Sequence, residues 1–266
     1  MSQDNSLLVD RDGALCTLTI NRPEKLNALS PACLHKISEI MKELSEDNVT
    51  RVVVIRGSGD AAFSAGFDIA SLPAGTVPAP EVPAAGEDIL SSAIESIQDF
   101  PYPVIAMVSG YAYGAGCALA AACDIRVAAQ NVRMGMHIAK RGIVASCDAY
   151  RLFLKVIGFS HTLDMFLTGR AYDSRRCLEM GLVNYVVEND RLESFTRELT
   201  HELLENAPLS LRGTKRILNK IAAYEALPAE IIEECRRLQA EAMQSEDIKE
   251  STDAFRKKRK PRFKGR

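Results

Sequence analysis

Apolar residues fall in two rhythms along this chain. Leu15 to Ile20 reads Leu-Cys-Thr-Leu-Thr-Ile, the period-two alternation of a strand. Val52–Ile55, Val104–Val108 and Ile125–Ala128 are continuous apolar runs, as strands buried on both faces require. Between them Leu34, Ile37, Ile40, Met41 and Leu44 recur at helical spacing and form one apolar stripe. Ser30 and Pro31 set the start of that helix: serine caps it, and proline in the first turn loses an N–H that had no partner anyway. Strands alternating with helices predict an α/β fold of βα units around a largely buried sheet.

Two stretches depart from this pattern. Residues 72–86, LPAGTVPAPEVPAAG, hold four of the eleven prolines, which excludes a helix or a central strand. They read as a long surface loop, either an active-site cover or an insertion without a role. After Gly158 the periodicity turns helical. Asp173-Ser174 predicts the start of a short helix ending at Gly181, and amphipathic helices are expected over about 190–205, 209–225 and 228–246. The chain thus divides into an α/β body over 1–190 and a helical region over 191–266, without internal repeats.

Composition narrows the picture. With 266 residues and 47% hydrophobic composition there is ample material for a packed core. A net charge of -2 gives no case for nucleic-acid binding. No signal peptide or membrane-length apolar run is evident, so a cytoplasmic protein is expected. The seven cysteines (16, 33, 117, 123, 147, 177, 235) have neither C-x-x-C pairs nor metal-ligand rhythm, and read as reduced thiols with no metal site. The tail FRKKRKPRFKGR is eight-twelfths basic: a solvated end or a phosphate-binding patch.

The stretch from Gly110 to Ile125, GYAYGAGCALAAACDI, raises the question of chemistry. It is no dinucleotide fingerprint, because Leu119 stands where a third glycine is needed. It is no phosphate loop, lacking Gly-Lys-Ser/Thr, and no nucleophile elbow, lacking a serine between glycines. A strand ending near Gly110, a tight turn and a helix start remain. Helix-start N–H groups lack internal partners and favour negative charge, as an oxyanion hole demands; a turn that merely allows close packing fits the stretch equally well. Ala62–Ile69, AFSAGFDI, is a second small-residue turn able to offer another N–H.

Taken together the motifs resemble the crotonase, or enoyl-CoA hydratase/isomerase, superfamily over nearly the whole chain. Asn21–Leu29 resembles its N-R-P-x-x-x-N-A-L motif, and Phe63–Ile69 its F-x-A-G-x-D-[IL] motif. Gly110–Ile125 resembles G-x-x-x-G-G-G-x-E-L-A-x-x-C-D-I. Leu167-Thr168-Gly169 with Gly181–Asn184 and Val186-Val187 resembles L-T-G…G-L-V-N-x-V-V, and the tail its closing A-F-x-x-K-R-x-P-x-F. The resemblance implies a crotonase-like ββα spiral followed by a helical trimerisation region, in a homotrimer or a hexamer of paired trimers. It implies an acyl-CoA substrate, with coenzyme A as part of the substrate and no separate cofactor. Oxyanion-hole N–H groups fall on Phe67 and Ala115. The substrate-binding positions it implies are Lys25 at the CoA phosphates, Ala65, Phe67, Asp68 and Ile69 in the turn, and Phe255 and Lys258 at the adenine-phosphate site. Asp68 reads more as a structural member of its motif than as a catalyst.

The family's two hydratase glutamates are missing. Ala118 occupies the first position and Ile138 the second, so the two-glutamate hydration and one-glutamate isomerisation mechanisms lack their acids. His137, beside the second position, with Asp148 to orient it, is the candidate base pair, against a plain surface or core histidine. Cys147 without an evident base, and Lys140, Arg141 and Tyr150, are weaker candidates; Glu81, Glu87 or Asp88 of the proline-rich loop would be a base from elsewhere. The expected activity is an acyl-CoA-transforming enzyme with non-standard catalytic groups. A hydrolase or decarboxylase using His137 and Asp148, or a non-catalytic acyl-CoA-binding or assembly subunit, are the alternatives.

Overall fold

The structure, a computed structural model, describes residues 5–68, 89–223, 233, 236, 237, 240, 244–259 and 261. The proline-rich loop with Glu81, Glu87 and Asp88, candidate residue Ile69, most of the helix expected over 228–246 and most of the basic tail beyond Arg259 lie outside the described residues.

Ten strands follow in chain order: β1 (Leu7–Asp12), β2 (Leu15–Ile20), β3 (Val52–Gly57), β4 (Ala62–Ser64), β5 (Val104–Val108), β6 (Tyr111–Tyr113), β7 (Ile125–Ala129), β8 (Arg133–Gly135), β9 (Tyr172–Asp173) and β10 (Tyr185–Val187). One sheet has the order β1-β2-β3-β5-β7-β10 and the other β4-β6-β8-β9. Each of β3, β5 and β7 in the first sheet is followed directly by a short strand of the second, β4, β6 and β8, and these three pair in parallel with one another. Helices close the circuits: α1 (Pro31–Glu46), α2 (Ile89–Asp99) and α3 (Ala115–Ala122). Repetition of this strand–strand–helix circuit is the expected ββα spiral.

The apolar runs have the reason the pattern suggested. In β3, Val53 and Ile55 enter the main core, with Leu18, Leu34, Ile37 and Phe63. Val52 and Val54 enter a second core on the opposite face, with Ile105, Met107 and Val127, against which Phe195 and Leu199 pack. A strand covered on both sides has no polar face to alternate with. The Ser30 hydroxyl accepts from Cys33 N–H at 3.2 Å, as the cap predicts, and of the α1 stripe only Ile40 is incompletely buried.

Three expectations are corrected. The chain does not pass from a strand at Gly110 straight into a helix; β6 intervenes. The switch to helix comes at Cys147, in α4 (Cys147–Thr168), rather than after Gly158, which instead interrupts α4 with φ +71 and ψ 174. A helix also runs over Glu246–Arg256, beyond the predicted end at 246. The short α5 (Ser174–Glu179) is capped by Asp173, which accepts from Arg176 N–H at 2.9 Å. The later helices α6 (Leu192–Glu205) and α7 (Pro208–Ala223) are close to prediction. Lys215 of α7 ties this region to the body: its ammonium donates to the Asp124 carboxylate at 2.7 Å and to the carbonyls of Tyr102 and Ile97 at 3.0 and 3.4 Å.

Candidate functional site

The two glycine turns leave the ends of neighbouring parallel strands. Ser64 of β4 pairs with Ala112 of β6. Residues Ala65–Asp68 follow the first strand, and Gly114 and α3 follow the second. Glycine makes their approach possible. A methyl group on Gly66 (φ +97) would sit 2.7 Å from Tyr113 O and 3.5 Å from Ala115 N, and one on Gly116 would sit 2.5 Å from Ser64 O. Both closest approaches are shorter than a real Cβ tolerates, so the turns interlock only because these side chains are absent.

Counting hydrogen bonds identifies the free donors. In the first turn Ala65 N–H bonds to Leu26 O at 2.9 Å, Gly66 N–H to the Ser64 hydroxyl at 3.2 Å, and Asp68 N–H to Leu29 O at 2.9 Å. Leu29 N–H bonds to Gly66 O at 2.8 Å, completing a parallel bridge opposite Phe67. In such a bridge the central residue's own N–H points to the other side. Among the described residues no acceptor takes the Phe67 N–H. In the second turn Gly114 N–H donates to Gly135 O at 3.0 Å, and Ala118 N–H donates to Gly114 O, also at 3.0 Å. Ala115 is the first residue of α3, where no intrahelical acceptor exists. Two unengaged N–H groups therefore stand on interlocked turns, the arrangement that stabilises an oxyanion.

Asp68 is buried beneath the first turn. Its carboxylate accepts from Arg22 at 2.6 Å and from Lys25 at 3.2 Å, while Arg22 also donates to Ala28 O at 2.7 Å. Burial pushes the Asp68 carboxyl up, but the hydrogen bonds from Arg22 and Lys25 outweigh it and hold the group below the usual carboxylate range. Lys25, matched by resemblance to a CoA-phosphate position, thus also braces the turn, with about half of its side chain exposed.

The two positions that the family resemblance assigns to glutamates, Ala118 and Ile138, have apolar surroundings. Ala118 is buried in the main core, and Ile138 packs partly buried against it. His137 is half-buried, with its ring edge-on to Tyr113 at 4.3 Å between centroids. Burial, then the positive charges of Lys140 and Arg141, push its pKa below the ordinary histidine value. Asp148 is exposed, and no hydrogen bond or ion pair joins it to His137. The structure therefore does not assemble the expected His137–Asp148 pair; Asp148 instead lies in the first turn of α4, a favourable place for a carboxylate. The Tyr150 hydroxyl accepts from Ala145 N–H at 3.2 Å. Cys147 is half-buried, and burial drives the Cys117 thiol strongly up, away from nucleophilic use.

Sequence reasoning missed one contact. The Arg141 guanidinium lies over the Phe255 ring at 5.4 Å, bringing the C-terminal helix onto the turn after β8. Phe255 and Lys258 are both exposed there. Among the described residues no cluster of side chains could hold a metal ion, and no helix is long and apolar enough to cross a membrane.

A two-sheet spiral with paired glycine turns at its strand ends defines an α/β enzyme of the crotonase fold. The chain belongs to the enoyl-CoA hydratase/isomerase family, whose model matches residues 10–266. It is 33% identical over 268 residues to a carnitinyl-CoA dehydratase of Citrobacter koseri, covering 98% of this chain and 99% of the relative. It is 29% identical over 262 residues to a short-chain-enoyl-CoA hydratase of Clostridium acetobutylicum, covering 96% of each. A solved methylmalonyl-CoA decarboxylase in complex with 2-nitronate-propionyl-CoA superposes with a TM-score of 0.89 at 28% identity, over 98% of this chain and 99% of that one. The protein is an acyl-CoA-transforming enzyme.

Proposed function

We propose that this enzyme decarboxylates an acyl-CoA whose acyl group carries a carboxylate on the carbon next to the thioester carbonyl. One observation carries the reading: the interlocked turns offer two free N–H donors, and no carboxylate among the described residues stands at either glutamate position to act as acid or base. Hydration needs a group that activates water and another that protonates carbon. Decarboxylation of a malonyl-type thioester needs neither to begin. The bond between the α-carbon and the carboxylate breaks, CO2 leaves, and the electron pair moves onto the carbonyl oxygen as an enolate. Phe67 and Ala115 N–H stabilise that oxygen; each such donor contributes about 3 kcal/mol. The α-carbon then takes a proton from water, giving the saturated acyl-CoA. His137, held neutral, lines the approach rather than serving as the essential base. Similarity to a methylmalonyl-CoA decarboxylase supports this reading, while similarity to hydratases and dehydratases supports only the shared thioester chemistry.

The test is mass spectrometry of malonyl-CoA, methylmalonyl-CoA and crotonyl-CoA after incubation with the enzyme. Catalytic loss of CO2 from a carboxylated substrate, with hydration of crotonyl-CoA far slower, is expected. Rapid addition of water to crotonyl-CoA without decarboxylation would overturn the reading.

The oligomer belongs to the same proposal. Leu154, Phe159, Leu163 and Leu167 of α4 and Leu209, Ile217 and Leu218 of α7 are large apolar side chains left exposed on one chain. Apolar surface of this kind supports burial between copies in a trimer or hexamer, which sedimentation will test.

A further inference from the structure

Arg141 is the unexplained group near the site. It is half-buried, yet its guanidinium forms no hydrogen bond or ion pair with any described residue. Its five donors have no protein acceptor among the described residues, so they are open to water or to a ligand. One acid comes near: a methyl group on Gly142 would lie 3.6 Å from the Asp247 Cβ. Asp247 is not paired with Arg141 and has a partner of its own. Lys140 beside it also makes no ion pair with a described residue, and its stem lies 3.2 Å from the space a Gly169 Cβ would fill.

The contact that Arg141 does make sharpens the point. Stacking on Phe255 occupies a face of the guanidinium and leaves the in-plane N–H edges open. Those edges are the ones that grip a carboxylate with two parallel hydrogen bonds. The position is also electrostatically close to the chemistry. Arg141 is one of the charges acting on His137, His137 packs on Tyr113, and Tyr113 O lies against the Gly66 turn that carries Phe67. Phe255 is also a position that the family resemblance assigns to the adenine-phosphate site, so a CoA phosphate is the competing acceptor for those edges, and the binding experiment below separates the two.

We infer that Arg141 is a specificity-determining residue that binds the carboxylate of the acyl group, with Phe255 holding the guanidinium in place. The inference rests on the proposed use of carboxylated acyl-CoA, and its test is independent of turnover. A carboxylate that leaves as CO2 loses this interaction along the reaction, so Arg141 contributes to substrate binding rather than to the rate of bond breaking.

The experiment measures calorimetric binding of two inert thioethers, 2-carboxyethyl-CoA and propyl-CoA, to the intact enzyme. They share every CoA phosphate, differ in the carboxylate and cannot react. Wild type is expected to favour 2-carboxyethyl-CoA about ten-fold or more, as a charge-assisted hydrogen-bonded pair allows. Arg141→Gln should erase the preference and leave propyl-CoA binding unchanged; Arg141→Lys, keeping the charge without the fork, should retain part of it. Equal weakening of both ligands would assign the guanidinium to a CoA phosphate and overturn the proposal, as would a wild type without preference. If the enzyme decarboxylates nothing but keeps the preference, the reaction assignment fails and the carboxylate site stands. If it does decarboxylate, Arg141→Gln should raise KM about ten-fold or more without lowering kcat.

Discussion

The oxyanion turns and the rim that follows β8 are built by opposite means. The turns are over-determined: three N–H groups of Ala65–Asp68 are engaged, Asp68 is buried under two cations, and glycines at 66, 110 and 116 admit no side chain. The rim over 137–148 is half-buried to exposed, held by a ring contact, a cation over a ring and hydrogen bonds local to its own turns. The difference shows where reaction type is written. In the proposed mechanism the site that stabilises negative charge on oxygen is part of the scaffold and costs stability to alter. In the same proposal the residues that select the substrate stand on a segment less deeply built into the core.

Substitutions in the scaffold should therefore show first as lost folding. Gly110→Ala is the severest. Gly110 has φ +57, and its Cβ would fall 2.0 Å from Ala61 O, so backbone must move. Left-handed strain and overpacking together predict a loss of about 4 kcal/mol in a denaturant titration. A loss below 1 kcal/mol would show that the turns are looser than their contacts imply.

Asp68→Asn comes next. Removing one charge from a buried pair leaves Arg22 uncompensated, for an expected cost of about 3 kcal/mol. The pH dependence follows from the depressed folded pKa. The stabilisation from Asp68 is complete above the unfolded carboxylate value of about 4 and is lost as pH falls through the lower folded value. Wild type and Asp68→Asn should hence differ near neutrality and converge in acid; a constant gap would contradict the ion-pair account.

Gly116→Ala tests the turns as a catalytic unit. Its Cβ would meet Ser64 O at 2.5 Å and push α3, with Ala115 N–H, away from the first turn. A displacement of this size predicts a fall of about a hundred-fold in kcat, with substrate binding less affected. Loss confined to KM would mean that the turns position the ligand without acting on the transition state.

The same contrast governs what the sequence revealed. β3, β5 and β7 were legible because burial on both faces writes a continuous apolar run. β4, β6 and β8 were not, since three residues are too few for a period to register, and β6 was therefore read as part of the turn. The glycine turns were recognisable as turns, but their interlocking depends on β4 lying beside β6, which is a property of the spiral. At the rim, residue types without their neighbours misled. His137 and Asp148 looked like a pair because His137 adjoins the second glutamate position of the family pattern, whereas the fold gives His137 to Tyr113 and leaves Asp148 exposed on α4. The Arg141–Phe255 contact joins distant parts of the chain, and no local pattern announces it.

The smallest expected effect is at the residue that looks most catalytic. His137 packs on Tyr113, the residue before the second turn, and a reaction requiring a base would recruit it. Burial and its cationic neighbours keep it neutral at pH 7 and draw its titration below the usual 6.5. A decarboxylation that begins without proton removal should then give a kcat free of any His137 inflection below about pH 6.5, where the ring titrates. His137→Gln, which keeps size and polarity, should lower kcat less than ten-fold, the loss reflecting Tyr113 packing alone. A hundred-fold loss with the fold and CoA affinity intact would make His137 a true base. The rim would then supply chemistry as well as recognition, and the division between a fixed scaffold that bears charge and a variable rim that selects substrate would fall.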